Sequence, residues 1–119
     1  MLQKSIIITG AMGAIGQALC KYFTAQGHHV AAIDIHDNID HLAQHPCLTY
    51  FKADLTNETQ NKTVIDQIFA AFKSIDALIN NAGISKSGMS WKLSLADWQT
   101  SFDINITTAF LTTKHCLPH

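Results

Sequence analysis

Apolar positions along the chain fall into two alternating kinds of pattern. Ser5 to Thr9 (SIIIT) is a β-branched run without polar alternation, the pattern of a strand covered on both faces. Ile15, Ala18, Leu19, Tyr22 and Phe23 then recur at i, i+3, i+4, i+7 and i+8, which predicts an amphipathic helix ended by Gly27. His29 to Ile35 reads as a second strand. Asp37 to His45 has no decisive period, and a short helix or an irregular connection before Pro46 both fit it. Leu48 to Lys52 predicts a third strand. A helix from Glu58 to Lys73 follows, with Val64, Ile65, Ile68, Phe69 and Phe72 as its buried stripe. Ile75 to Asn80 reads as a fourth strand, and Ala82-Gly83 opens a loop. Ser94-x-x-Asp97 is a capping box that starts a last helix running through Trp98, Phe102, Ile106 and Phe110.

The order strand, helix, strand, strand, helix, strand, helix requires crossover connections and therefore a mostly parallel sheet. The predicted architecture is α/β, a doubly wound parallel sheet of about four strands in the order 3-2-1-4. Residues 1–119 contain no linker, repeat or low-complexity stretch, so one domain is expected.

Composition narrows the function. Of the 119 residues 47% are hydrophobic and 14% charged, too apolar for a disordered chain. Eight Lys and Arg against nine Asp and Glu give a net charge of −1, with no basic excess to meet a row of phosphates. No nucleic-acid partner is expected, and no stretch approaches the ~20 apolar residues of a membrane span. Cys20, Cys47 and Cys116 are an odd number without Cys-x-x-Cys, which suits reduced thiols and a cytoplasmic setting. His41 and His45 stand at i, i+4 beside Asp37 and Asp40, but no third ligand has a defined position, so no metal is expected. His28, His29, His115 and His119 read as surface residues. Ser85, Ser87 and Ser90 have no general base at a known spacing and are not taken as nucleophiles.

The sharpest chemistry lies between the first strand and first helix, in Thr9-Gly10-Ala11-Met12-Gly13-Ala14-Ile15-Gly16. Gly10 permits a tight turn, small residues at Gly13 and Ala14 let backbone N–H groups reach a pyrophosphate, and Gly16 allows close helix packing. The positive end of the helix favours the phosphate charge. No Gly-Lys-Ser/Thr follows, so the turn is not a P-loop. Asp34 ends the second strand, where an acid hydrogen-bonds a ribose 2′-hydroxyl and repels a 2′-phosphate. Met12, Gly13 and Ile35 bring no positive charge to offset it. NAD is therefore favoured over NADP.

Together these residues resemble the short-chain dehydrogenase/reductase family. The resemblance rests on Thr9-Gly10-x-x-Gly13-x-x-Gly16, Asp54-Leu55 after the third strand, Asn80-Asn81-Ala82-Gly83 after the fourth, and Asp103-Ile104-Asn105 in the last helix. It spans nearly the whole chain but only the N-terminal, cofactor-binding half of the family's Rossmann-like catalytic domain. It implies that Asp54 accepts from the adenine amino group and that Leu55 offers its N–H to the ring. It implies that Asn80 fastens the fourth strand to its neighbour, that Ala82 and Gly83 leave room for the nicotinamide-side ribose, and that Asn81 belongs to the cofactor-binding set. Thr9, Met12, Ile15 and Ile35 complete the cofactor-binding set. Asn105 matches the family's catalytic asparagine, which bends the helix and holds a water of the proton relay.

Departures are specific. Ala14 replaces the family's usual middle glycine, and Gly13 instead gives the spacing of the sugar-nucleotide epimerase/dehydratase branch. Thr108 stands where glycine is frequent. The family's Tyr-x-x-x-Lys is missing, since Tyr22 and Tyr50 are followed at i+4 by Gln26 and Asp54. The resemblance thus implies an NAD-binding part of an oxidoreductase acting on a carbonyl or alcohol. A non-catalytic, truncated nucleotide-binding module is the alternative, and a homo-oligomer or complementing chain is compatible with either.

Overall fold

The computed structural model describes residues 2–84, 89 and 91–119; Ser85, Ser87 and Ser90 lie outside the described residues. Five strand positions, Ser5–Thr9 (β1), are all buried, as their unbroken β-branched run requires. Helix Ala14–Ala25 (α1) leads to His29–Asp34 (β2), then directly to Leu48–Lys52 (β3). Helix Glu58–Phe72 (α2) returns the chain to Ala77–Ile79 (β4). The strands pair in parallel in the order β3-β2-β1-β4, with Ile7 opposite Ala31 and Leu78.

Strand alternation divides the core into two layers. Ile7, Ala31 and Ile33 point to α2, where Val64, Ile65 and Ile68 complete the stripe read from the sequence. Ile6, Ile8, Val30 and Ala32 point to the other face, against Cys20 of α1 and Leu42. Leu42 belongs to a connection without a helix. There the Asn38 side chain accepts from Asp40 N–H at 2.9 Å and Leu42 N–H bonds Ile39 O, closing turns before Pro46.

Two expected helix faces differ in the structure. In α1 the buried line is Gly16, Cys20 and Thr24, whereas Ile15 and Tyr22 are 67% and 59% exposed. Gly16 decides this, because its backbone is seated against the preceding turn and rotates the neighbouring Ile15 outward. The last helix is not one α-helix. Leu95–Phe102 (α3) passes through a π-helical turn, Asp103–Thr107, into Thr108–Cys116 (α4). Thr108 N–H bonds Asp103 O, five residues back, and its hydroxyl donates to the same carbonyl at 3.0 Å. The inserted residue shifts the buried face to Thr108, Leu111, Thr112 and Cys116. Trp98, Phe102, Ile106 and Phe110 consequently form an exposed apolar line.

Two histidines expected at the surface are covered. His28 is buried and its Nδ1 accepts from Lys4 N–H at 3.0 Å, while the His115 side chain is 12% exposed. Among the described residues no three His, Cys, Asp or Glu side chains come together as a metal site, and no helix is long and apolar enough to cross a membrane. Burial pushes the Cys20 and Cys116 thiols up to about 11, whereas Cys47 is only half-buried. A thiol-reactive disulfide reagent at pH 8 is expected to titrate Cys47 alone in the folded chain and all three cysteines in denaturant. Prompt reaction of all three without denaturant contradicts this packing.

Candidate functional site

The glycine turn closes the C-terminal end of β1. Gly10 has φ +65°, and a Cβ there would lie 2.8 Å from Ala82 Cα and 3.0 Å from Ala82 N. Its glycine is thus required twice, by the left-handed backbone and by the segment after β4. A Cβ on Gly16 would stand 2.2 Å from Gly10 O, which seats the first turn of α1 on the glycine loop itself. Gly13 caps α1 without a side-chain hydrogen bond, and the first turn holds no acidic residue. The leading N–H groups of α1 therefore keep their positive end uncompensated by any side chain of that turn.

Asp34 reaches this turn from the end of β2. Its Oδ2 accepts from Met12 N–H at 2.9 Å and its Oδ1 from Ile35 N–H at 2.7 Å. The Asp34 side chain is only 16% exposed, with His36 Nε2 3.8 Å from Oδ1. Ala11 N–H adds a bond to Ile33 O at 3.1 Å. The acid and the glycine turn are therefore one hydrogen-bonded unit.

A second unit joins β1 to the segment after β4. The Thr9 hydroxyl accepts from Asn81 N–H and Ala82 N–H, both at 3.0 Å, and Asn81 Nδ2 donates to Gly10 O at 3.2 Å. Asn80, expected to fasten β4 to its neighbouring strand, instead donates to Thr113 Oγ1 of α4 at 3.1 Å. Alternation past β4 sends Asn80 to the helix side and leaves the fastening to Asn81. Asn105 sits in the π turn, where each end of its carboxamide bonds the same residue: Oδ1 accepts from Ile84 N–H at 2.8 Å and Nδ2 donates to Ile84 O at 2.9 Å. A Cβ on Gly83 would be 3.0 Å from Asn105 Oδ1, so Gly83 permits this close approach.

Asp54 and Leu55 form the far wall. Asp54 Oδ1 accepts from the Thr56 hydroxyl at 2.6 Å and Thr56 N–H at 3.0 Å, a local turn, and Asn57 rather than Asp54 caps α2. Asn61, absent from the sequence reading, is fully buried and its Nδ2 donates to Leu55 O at 3.0 Å and Thr112 Oγ1 at 2.9 Å. It ties the Leu55 loop to α4. A polar residue on the apolar stripe of a helix (Asn61 beside Val64 and Ile65) was the signal available for it.

These parts meet in one cleft. Its inner part is lined by Ile33, Asp34, Ala53, Asp54, Leu55 and Thr108. Its outer part is lined by Gly13, Ala14, Ile15, His36, Asn81 and Gly83, with Gly10, Asp34, Ile35, Ala82 and Ile104 common to both. Thr9, Met12, Gly16 and Asn105 do not line the cleft but hold its lining residues through the contacts above. The cleft opens at the carboxyl ends of β2, β1 and β4, where the strand order reverses, the place at which doubly wound sheets take ligands.

The short chain dehydrogenase family model matches residues 4–119. The chain belongs to this family. It is 35% identical over 116 residues to 2,5-dichloro-2,5-cyclohexadiene-1,4-diol dehydrogenase of Sphingobium indicum, covering 94% of this chain and 46% of that protein. The ligand-free aldohexose dehydrogenase of Thermoplasma acidophilum superposes with TM-score 0.88 at 33% identity, over 98% of this chain and 44% of the other. ElxO with NADP bound superposes with TM-score 0.90 at 27% identity, over 99% and 50%. The short-chain dehydrogenase chain described here thus spans about half the length of the relatives it matches. Its sheet is the family's Rossmann-like sheet, and Ala14 and Thr108 are accommodated in it: Ala14 opens α1, and Thr108 closes the π turn.

Proposed function

We propose that this chain is the NAD-binding part of a short-chain dehydrogenase/reductase-type oxidoreductase. The whole protein would pass hydride between the nicotinamide and a small carbonyl or alcohol substrate. The observation that carries the reading is the convergence of the glycine turn, Asp34 and Asn81-Ala82-Gly83 on one cleft at the strand-order reversal. The residues present fit a dinucleotide. The turn keeps its shape only with glycine at Gly10 and Gly16, where a Cβ would strike Ala82 and Gly10 O respectively, and the uncapped N-terminus of α1 opens on the cleft. Bound there, the nicotinamide supplies the hydride chemistry, and the protein's part is to orient it.

Asp34 is the residue of choice for the ribose. Each carboxylate oxygen accepts one backbone N–H in this structure and retains a second lone pair for a hydroxyl. A 2′-phosphate would bring about −1.5 to −2 charges against a carboxylate that two N–H bonds hold in place. Asp54 and Leu55 suit the adenine side of the cleft. Asn105, its carboxamide committed to Ile84, would act as a positioning residue for the loop after β4.

Calorimetric titration with NAD and NADP tests the assignment. The wild-type chain is expected to bind NAD more tightly. Asp34→Ala combined with Ile35→Arg is expected to weaken NAD by roughly 10- to 100-fold, the size of a lost charge-assisted hydrogen bond. The same variant should bring NADP to parity. Equal or tighter binding of NADP by the wild-type chain would refute the NAD preference.

A further inference from the structure

We propose that Asn61 is a positioning residue for the adenine side of the cleft, holding Asp54 and Leu55 in the arrangement that tells adenine from hypoxanthine. The proposal rests on the nucleotide reading above and deepens it at a side chain outside the cleft lining. Asn61 lies in the first turn of α2, on the buried stripe it shares with Val64, Ile65 and Ile68. An apolar residue there would be buried at no polar cost, whereas a buried carboxamide must find partners. Asn61 Nδ2 finds two, donating to Leu55 O at 3.0 Å and to Thr112 Oγ1 at 2.9 Å. Its Oδ1 is buried with no partner among the described residues. The core thus carries an unmet acceptor at the point where Leu55 is gripped, a cost that packing alone does not call for.

The corner is gripped from both ends. Gln60, the residue before Asn61, accepts from Asp54 N–H through Oε1 at 2.9 Å, so two carboxamides of α2 fix the two ends of Asp54-Leu55. Asp54 Oδ1 is taken by the Thr56 hydroxyl and N–H, which leaves Oδ2 to accept from a base. From Asn61 the hydrogen bonds run on into the other helix. The Thr112 hydroxyl donates to Thr108 O at 2.8 Å, and the Thr108 hydroxyl donates to Asp103 O at 3.0 Å across the π turn. Thr108 and Leu55 line the inner cleft together, so the chain of bonds joins two pieces of one wall. The Glu58–Lys114 ion pair at 2.9 Å also joins α2 to α4, but both its side chains are about half exposed and water screens it. The buried bonds of Asn61 are not screened and keep their direction. Adenine offers a donating amino group where hypoxanthine offers an accepting carbonyl. A carboxylate held in place accepts from the first and repels the second; a loosened corner distinguishes them less.

The test is calorimetry of NAD and nicotinamide hypoxanthine dinucleotide on the wild-type chain and three variants. The wild type is expected to prefer NAD roughly 10-fold, the size of one hydrogen bond to a charged group. Asn61→Leu combined with Thr112→Val exchanges both partners for apolar side chains, so neither is left unpaired and Tm is expected to stay near the wild-type value. The same double variant frees the Leu55 corner and is expected to narrow the preference for NAD to about twofold. Thr112→Val alone should narrow it part-way, and Thr112→Ser, which keeps the hydroxyl, should keep the wild-type preference. An Asn61 that serves stability alone predicts otherwise: both dinucleotides weaken by one factor, or neither does. That outcome overturns the positioning role and leaves the nucleotide site standing, as does a wild-type chain that binds the two dinucleotides equally. If circular dichroism shows the double variant unfolded, the Thr112 variants decide, and an equal preference for NAD in Thr112→Val and Thr112→Ser overturns the role. A wild-type chain that binds neither dinucleotide overturns both readings.

Discussion

Gly16→Val and Gly10→Val are each expected to abolish measurable nucleotide binding, by different routes. At Gly16 a Cβ would fall 2.2 Å from Gly10 O and 2.8 Å from Ala11 Cα, both backbone atoms that no rotamer change can move aside. The first turn of α1 must then swing away from the glycine loop, and its N–H groups leave the place where phosphate would sit. At Gly10 the valine meets Ala82 Cα at 2.8 Å and must also hold φ +65°, a left-handed conformation costing a branched residue about 1–2 kcal/mol before the clash is counted. A domain with only ~5–15 kcal/mol of stability feels either change. Gly13→Ala is the control: its nearest contact would be 3.5 Å and its φ is −74°, so the chain should keep its Tm within a few degrees. Circular dichroism separates loss of fold from loss of binding. If both valine variants melt like the wild type and bind NAD normally, the turn serves packing alone.

These 119 residues by themselves are expected to catalyse no hydride transfer above ~10⁻² to 10⁻⁴ of the rate of a full-length relative, the factor a positioned general acid/base supplies. Neither tyrosine can take that role. Tyr22 is exposed on α1, outside the cleft lining. Tyr50 spends its hydroxyl on His36 O, and burial, reinforced by Asp34, moves its acidity the wrong way. A proton donor working near neutral pH needs its pKa lowered, not raised. The chain also shows an exposed apolar face. Trp98 and Phe102 pack ring to ring at 4.8 Å yet are 51% and 39% exposed, and Phe110 is 64% exposed. β4 is a three-residue strand at the sheet edge. Sedimentation velocity should accordingly show self-association at micromolar concentration. NADH oxidation with a panel of ketones and aldehydes, on protein of verified mass, checks the catalytic claim. Turnover approaching that of a full-length dehydrogenase would refute it, and a strictly monomeric chain would refute the association.

Local physics made much of this molecule legible from its residues in order. The strand β1, the stripe of α2 and the capping box at Ser94 follow from periodicity and cap chemistry, which act over a few residues, whereas the sheet order 3-2-1-4 follows from the analogy with doubly wound folds. The same holds for the glycine turn, because φ +65° at Gly10 is a demand that only a few residue types meet. Misplaced were the features that depend on which way a helix is turned. Ile15 and Tyr22 keep helical spacing, but the seat of Gly16 on Gly10 O turns them to solvent. Trp98, Phe102, Ile106 and Phe110 keep i, i+4 spacing, but the π turn at Asp103–Thr107 changes the phase of the helix and buries Thr108, Leu111 and Thr112 instead.

What the sequence by itself determined is the kind of element at each position and the chemistry on offer: a phosphate-sized turn, an acid at the end of β2, and an Asn-Ala-Gly corner. Only the tertiary structure decided how these are joined. The bond from Met12 N–H to Asp34 spans 22 residues, Asn61 to Thr112 spans 51, and Thr9 to Asn81 spans 72. No periodicity reports such contacts, because each exists only after the strands have paired and brought distant backbone groups within hydrogen-bond reach. His36 belongs with them. It is an ordinary polar residue along the chain, and it becomes part of the cleft because the backbone leaves β2 at Asp34 and the β3 hydroxyl of Tyr50 holds the next turn beside the acid.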